Sequence, residues 1–529
     1  MTSSTAVRLT VRRTLAHPGL WLGLLGSLLL ALGEVRRLAG WSQVRGQSWA
    51  GAVARYLSAG QYPALVLAGA VLLGAGWVLL RPGRARPVAP WLVLLVWAVP
   101  LLLLPPVLST DAGSYADLGW MVSHGTSPYE TGLGTTGSPF PYGRVWRGTT
   151  SVYPPLALEL FGLVVRLTGA HWYWSVVALR LLALAGAGLL LWSVPRLARA
   201  VGADPGQAVW MAALNPVVLV HGVGGEHIDL LMVGLVAAGL AVARLRYGTV
   251  LGSVLIGLAA AVKQPALLAA PAVAGLVHLR APGRWWHWLA RTVAATALAG
   301  AAFALVSAAT WGFGWVGGSG DPANGGRTLT PAYLLAQLGG SQTTWTLVFQ
   351  VLAGVVAVAG WAWYGRRQPL RFLALAAAAF VFGFGTFREW YLMLPLAFAG
   401  LAGLRRTGTV VVAWLATSLA GYGVLREYVS TPILQAFATS LALGLLALAV
   451  AAATRLALTS DRREPSRPHR AARDAQRLRR RRSTGCVLGQ RAAFARRHRG
   501  LRPHPRDPGR RLPHDDGHRF EPGARECLS

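Results

Sequence analysis

Charge is scarce in this chain. Only 13% of its residues are Asp, Glu, Lys or Arg, against roughly a quarter in soluble domains. That excludes an ordinary soluble globular fold. Lysine is rarer still, since Lys263 is the only one. Cysteine is missing until Cys486, with Cys527 the only other, so no disulfide framework is available to the body of the chain. Acids are few as well: outside residues 461–529 there are 11, among them Glu34, Asp111, Asp117, Glu226, Asp229 and Glu389.

What is abundant is apolar sequence. Hydrophobic residues make up 54% of the chain, the mean hydropathy is +0.44, and apolar runs of membrane-spanning length recur from Trp21 to Ala453. This composition specifies an all-α polytopic membrane protein. The formal charge of +32 does not point to nucleic acid, because its distribution is that of an oriented membrane protein. Residues 461–529 hold 20 Arg and 8 acids, and most of the remaining excess lies in short connections between apolar runs. Residues 1–20 do not read as a cleavable signal, since no clear cleavage site follows and many more spans do. Arg8, Arg12 and Arg13 precede the first run, which places the N-terminus on the cytoplasmic side.

Arginine-bearing turns at 81–86, 196–199, 244–246, 280–284, 366–367 and 405–406 mark that same side. One topology fits them all, with both termini inside and about 14 spans. These lie near 19–35, 61–80, 89–108, 174–194, 207–221, 228–244, 249–262, 265–278, 289–311, 345–364, 370–386, 391–404, 408–425 and 433–456. The apolar stretch 156–169 does not fit as a crossing and is expected to lie at the outer surface. Residues 1–460 form the membrane domain. Residues 461–529, rich in Arg, Pro, His and Gly, form a cytoplasmic tail expected to be disordered.

This topology leaves two outer loops, about 109–153 and 312–344. The first opens at Asp111, at the lip of an apolar run, and contains Tyr115, Asp117, His124, Tyr129, Glu130 and Arg144. The second is rich in Gly and Trp and holds Asp321 and Arg327. Three further segments reach the same side. Asn215-Pro216 breaks a span and leads into Glu226-His227-Ile228-Asp229. That cluster reads as a helix cap with a satisfied histidine, as a wall of a binding or catalytic site, or as a metal site, and no ligand spacing there is diagnostic. Lys263, between two apolar runs, needs an anion, and a lipid phosphate would serve; snorkelling to the interface is the alternative, weakened because arginine fills that role elsewhere in the chain. Arg388, in Phe387-Arg388-Glu389-Trp390-Tyr391, is a second phosphate candidate, or pairs simply with Glu389.

A carboxylate, cations at headgroup level and an aromatic loop suit transfer from a lipid phosphate to a hydroxyl acceptor. The carboxylate accepts the acceptor's proton as its oxygen attacks, and the cations stabilise the leaving phosphate. A lipid-linked saccharide transporter without chemistry is the competing class. The crowding of polar groups on one side, with no inverted repeat, favours the enzyme.

Several motifs together carry a resemblance. They are Asp111 with Ser114-Tyr115, Gly125-Thr-Ser-Pro128-Tyr129, Tyr153-Pro154-Pro155-Leu156, Asn215-Pro216, the run Gly224 to Met232, Lys263-Gln264-Pro265 and Trp390-Tyr391. Over about residues 90–405 the chain resembles the actinobacterial polyprenyl-phosphomannose-dependent alpha-1,6-mannosyltransferases of the GT-C class. The resemblance implies a GT-C fold with surface-lying helices in the first outer loop. It implies polyprenyl-phosphate mannose as donor on the outer leaflet of a bacterial plasma membrane, and a lipid-anchored alpha-1,6-mannan, as in lipomannan assembly, as acceptor. Asp111 would be the general base of an inverting reaction. Lys263 and Arg388 would face the donor phosphate, and Tyr115, Tyr129, Glu226, His227, Asp229, Trp390 and Tyr391 the sugar or acceptor. No cofactor is expected, although a divalent metal stays open, and no nucleic-acid partner is. Two positions depart from the family pattern: Ala112-Gly113 separate Asp111 from Ser114-Tyr115, and Ile228 replaces the usual Asn. A transferase for another polyprenyl-phosphate pentose or hexose is the main alternative.

Overall fold

The computed structural model describes residues 3–40, 56, 61–83, 88–104, 106–140, 146–318, 328–428 and 432–460. Arg84, Arg86, Arg144, Asp321, Arg327 and the tail from residue 461 lie outside the described residues. The chain divides into two units, Met1–Ala457 and Leu458–Ser529, and the candidate site belongs entirely to the first. Among the described residues every regular element is helical.

Among the described residues seven helices are long and apolar enough to cross a membrane: Pro18–Val35, Gln61–Leu79, Trp172–Val201, Trp285–Ala309, Gln342–Tyr364, Arg406–Glu427 and Ile433–Leu458. A bent pair, Pro205–Ala213 with Val218–Gly224, passes the same test as one span with a 54° bend. Pro90–Leu101, Asp229–Val242, Gly248–Val262 and Pro369–Gly383 are apolar but shorter. Each run read from the sequence as a span therefore contains a helix, but several of these helices fall short of the roughly 20 residues a straight crossing needs. The cause lies in the sequence at their ends. Pro265 has no N–H to offer the Ala261 carbonyl and its ring would clash there, so the α-helix cannot run on, and Gly248–Val262 stops at Lys263, which is extended (φ −157°, ψ 127°). The chain then continues as a 3-10 turn over Gln264–Ala269.

At Asn215-Pro216 the broken span is repaired by one side chain. Asn215 Nδ2 donates to the Met211 carbonyl at 2.7 Å, and its Oδ1 accepts from Val218 N–H at 3.0 Å. Backbone groups freed by a break in apolar surroundings must find partners, and this amide serves both broken ends. The chain then winds more widely through Val218–Gly224, a π-helical turn, which carries it to Glu226 and His227.

Close helix crossings hold these pieces in register. A Cβ on Gly186 would collide with the Leu230 carbonyl oxygen, and one on Gly234 would lie 2.5 Å from the Gly186 oxygen. The Asp229–Val242 helix is thereby pressed against Trp172–Val201, backbone on backbone. The helix Pro155–Leu167 has 13 residues, about 20 Å, too short to cross. Its apolar face, including Leu158, Phe161 and Val165, packs against Asp111–Ser123, where Gly119 and Gly162 permit contact. Farther along, Trp77 and Trp210 stack at 4.4 Å with planes 12° apart. Each indole N–H donates to the other residue's backbone oxygen, at 2.9 and 2.7 Å.

This reciprocal pair ties two helices 133 residues apart in sequence. Trp77→Phe or Trp210→Phe is expected to cost about 1–3 kcal/mol each, from one hydrogen bond and part of a stack. The double variant should cost less than the sum, since each single change already disrupts the pair. Unfolding in detergent micelles measures both, and additive losses would contradict the coupling.

Candidate functional site

Asp111 begins the Asp111–Ser123 helix. The chain that delivers it is tied down on both sides. Val107 N–H donates to the Gly224 carbonyl at 2.8 Å, and Leu108 N–H to Glu34 Oε1 at 3.3 Å. Leu108 sits at φ 55°, a costly conformation for a branched apolar residue that persists only where its surroundings enforce it. Ser109 Oγ accepts from the Asp111 N–H at 3.1 Å. Among the described residues the carboxylate receives one side-chain hydrogen bond, from Trp146 Nε1 to Oδ1 at 3.1 Å. Its Oδ2 lies 3.7 Å from His227 Nδ1. Burial raises the Asp111 pKa above the ordinary carboxylate range. Arg388, the Trp146 hydrogen bond and Lys263 pull the other way, and Asp229 adds to the rise.

The facing wall is built from distant segments. His227 stacks on Trp390 with centroids 3.6 Å apart and planes at 17°. Its burial, with His221, Lys263 and Arg388 nearby, holds the His227 pKa well below the usual histidine value, so the ring is neutral. Among the described residues neither of its ring nitrogens has a hydrogen-bond partner. Lys263 Nζ grips both oxygens of Asp229, at 2.8 and 2.6 Å, and lies over the Tyr391 ring at 4.9 Å. The anion that Lys263 needs is thus supplied from within the chain. Arg388 lies 5.8 Å from the Trp390 ring and makes no ion pair with Glu389, the plainer partner the sequence offers. Among the described residues no carboxylate lies within ion-pair distance of it.

Apart from the fully buried His227, these groups border one cavity of about 1090 Å³. Of the residues expected from the sequence, Asp111, Asp229, Lys263, Arg388, Trp390 and Tyr391 line it. Gln264, from the Lys263-Gln264-Pro265 motif, lines it too, as do Trp146, Thr386 and Arg426, which no sequence pattern singles out. Away from the charges its walls are apolar, with Leu268, Trp361, Phe372 and Phe380 among them. Tyr115 is not on this cavity. It borders a second space of about 20 Å³ that also touches Asp111 and Trp146, and its hydroxyl accepts from Tyr153 at 3.1 Å. Tyr129 is set back as well, donating to the Tyr153 carbonyl at 2.8 Å. Among the described residues no group of three or more His, Cys, Asp or Glu is placed to hold a metal ion.

Glu226 takes a place the sequence does not suggest. The sequence reading has it facing sugar or acceptor, but it is only 2% exposed, is absent from the cavity wall, and pairs with Arg180 Nη2 at 2.5 Å. Arg180 also donates to the carbonyls of Val223 at 2.9 Å, Leu102 at 2.6 Å and Gly224 at 3.2 Å. One guanidinium thus binds the segment entering Asp111 to the turn carrying His227. A signal is present, because Arg180 stands inside an apolar run where a cation requires a partner, but its partner is 46 residues away by number and not local. Arg180→Gln should destabilise the protein by about 3–5 kcal/mol, because it strands a buried carboxylate. Adding Glu226→Gln should recover most of that loss in thermal unfolding, and no recovery would contradict the pairing.

Residues 20–279 match the family described as "Alpha-(1->6)-mannopyranosyltransferase, N-terminal domain". A probable alpha-(1->6)-mannopyranosyltransferase of Mycolicibacterium smegmatis is 31% identical over 395 residues, covering 62% of this chain and 69% of the relative. An alpha-(1->6)-mannopyranosyltransferase of Mycobacterium tuberculosis is 30% identical over 407 residues, covering 62% and 67%. Alpha-(1->6)-mannopyranosyltransferase A of the same organism is 37% identical over 232 residues, which span 42% of this chain and under half, 44%, of that relative. The crystal structure of ArnT from Cupriavidus metallidurans in the apo state aligns with a TM-score of 0.34 at 16% identity, over 68% of this chain and 77% of that one, too distant a likeness to carry an argument. With its membrane helices and these relatives, the chain belongs to the alpha-(1->6)-mannopyranosyltransferase family of glycosyltransferases.

Proposed function

We propose that this protein moves mannose from polyprenyl-phosphate mannose to a lipid-anchored alpha-1,6-mannan on the outer face of a bacterial plasma membrane, with Asp111 as general base. One observation carries the reading: one cavity joins a carboxylate, and an arginine with no ion-pair partner among the described residues, to apolar walls. A sugar–phosphate–isoprenoid has the matching order of groups. Its sugar would meet Asp111, its phosphate Arg388, and its tail the apolar walls. The arginine-rich turns at the opposite helix ends support the outer orientation.

In this reading an acceptor hydroxyl attacks C1 of the donor sugar. The new C1–O bond forms as the C1–O bond to phosphate breaks, and the electron pair leaves with the polyprenyl phosphate. The hydroxyl proton passes to the Asp111 carboxylate. The leaving group gains negative charge, and Arg388 and Arg426 stabilise it from the cavity wall. Lys263, held by Asp229, keeps that second carboxylate neutralised beside the reacting centre. A single displacement inverts the anomeric centre, so a beta-linked donor yields an alpha product. Burial keeps water from competing for the donor.

The test is transfer of radiolabelled mannose from polyprenyl-phosphate mannose to a short alpha-1,6-mannoside by the purified protein. The expected product is an alpha-1,6-linked extension. Asp111→Asn should lower the rate by about 10²–10⁴-fold, the usual contribution of a general base. Transfer only from pentose or other hexose donors would overturn the choice of sugar. Lipid flipping without transfer from any donor would overturn the enzymatic reading.

A further inference from the structure

We propose that Trp146 is a positioning residue for the reaction: its indole N–H holds Oδ1 of Asp111 and so leaves Oδ2 to take the acceptor's proton. The inference rests on the reading of Asp111 as general base, and concerns which of its oxygens acts and how strong a base it is.

The geometry is specific. Trp146 Nε1 donates to Oδ1 at 3.1 Å, which orients the carboxylate plane. Among the described residues no hydrogen bond reaches Oδ2; the neutral His227 ring lies 3.7 Å from it, beyond hydrogen-bond range. That gap is where an incoming hydroxyl can approach. Trp146 also lines both the large cavity and the small one behind Asp111, so it stands at the edge of the space the acceptor must enter.

Trp146 is held in place by a tight turn. Its carbonyl accepts from Thr149 N–H at 3.1 Å and from Thr149 Oγ1 at 2.7 Å. Leu133 N–H donates to the Thr149 carbonyl at 2.9 Å, and Gly148 N–H to the Leu133 carbonyl at 2.8 Å. Gly148 at φ 76° lets the turn close. A Cβ on Gly132 would lie 2.7 Å from the Gly148 backbone, so glycine is needed there for the two segments to touch.

The groups facing Asp111 set the sign of the test. Arg388, Lys263 and the Trp146 N–H favour the charged carboxylate, and Asp229 opposes it. His227 is neutral beside Oδ2. Tyr153 and Tyr115, whose own pKa values burial raises, stay protonated and neutral. The base works only when deprotonated, so activity falls as pH drops through its pKa. Removing the Trp146 donor destabilises the charged form and raises that pKa, so the acid limb must move to higher pH.

The experiment is the pH profile of kcat/KM for acceptor in wild type, Trp146→Phe, Trp146→Leu, Trp146→Gln and Asp111→Asn. Trp146→Phe and Trp146→Leu should move the acid limb up by about one pH unit and lower the plateau about tenfold. Trp146→Gln, which keeps an N–H donor, should restore the limb towards wild type. Binding of polyprenyl phosphate should be unchanged in all three Trp146 variants, which separates positioning from general disorder. Either donor-lacking variant suffices if the other does not fold. A limb that stays in place or moves down in both would overturn the inference, as would loss of lipid-phosphate binding in parallel with activity. If Asp111→Asn retains activity, the general-base reading itself falls. If Asp111→Asn is inactive while the limb stays fixed, only the role of Trp146 falls.

Discussion

Neutralising charge away from water is the constraint on which this site depends. An ionised group in apolar surroundings persists only with a partner. Two ion pairs meet that demand, Lys263 with Asp229 and Arg180 with Glu226. The first removes a cation and a carboxylate from the reactive set. The second binds the approach to Asp111 to the turn that carries His227. Also facing the cavity are Asp111, with the Trp146 N–H on one oxygen, and the guanidinium groups of Arg388 and Arg426. In the proposed reading these are the groups a glycosyl phosphate transfer requires.

Broken helices make this arrangement possible. An unbroken span would carry its polar side chains past the site and offer only helix faces. Here Asn215 satisfies the backbone groups at one break, and the extended Lys263 before Pro265 makes another. A third lies at Arg388, also extended, where the Pro369–Gly383 helix has ended and a 3-10 turn over Glu389–Leu392 begins. Each break points a short stretch of chain into one space. The close Gly186–Gly234 crossing and the Pro155–Leu167 helix packed on Asp111–Ser123 keep those stretches from drifting.

Much of the membrane architecture is legible in the sequence, because apolar runs and their arginine-rich ends are local signals. Asp111 is legible too, as an acid at the lip of such a run. The division of labour among the other charges is not. Whether Lys263 faces a ligand or a carboxylate depends on Asp229, which lies on another helix, and nothing in either segment alone encodes the pairing. Glu226 and Asp229 sit three residues apart in one turn, yet the structure sends them to different partners. The positive φ of Glu226, 59°, marks where the chain reverses between them. Trp146 is hidden among 22 tryptophans, and only its distance to Asp111 sets it apart from the rest.

Among the described residues Arg388 has no carboxylate within ion-pair distance, and in the proposed reading donor binding turns on it. Binding of polyprenyl phosphate to the purified protein, measured for wild type and for Arg388→Gln with the Asp229–Lys263 pair intact, tests that claim without depending on the acceptor or the sugar. A loss of affinity of about tenfold or more, some 1.4 kcal/mol, is the predicted result. Unchanged affinity in Arg388→Gln, in a protein that unfolds at the wild-type temperature, would contradict it.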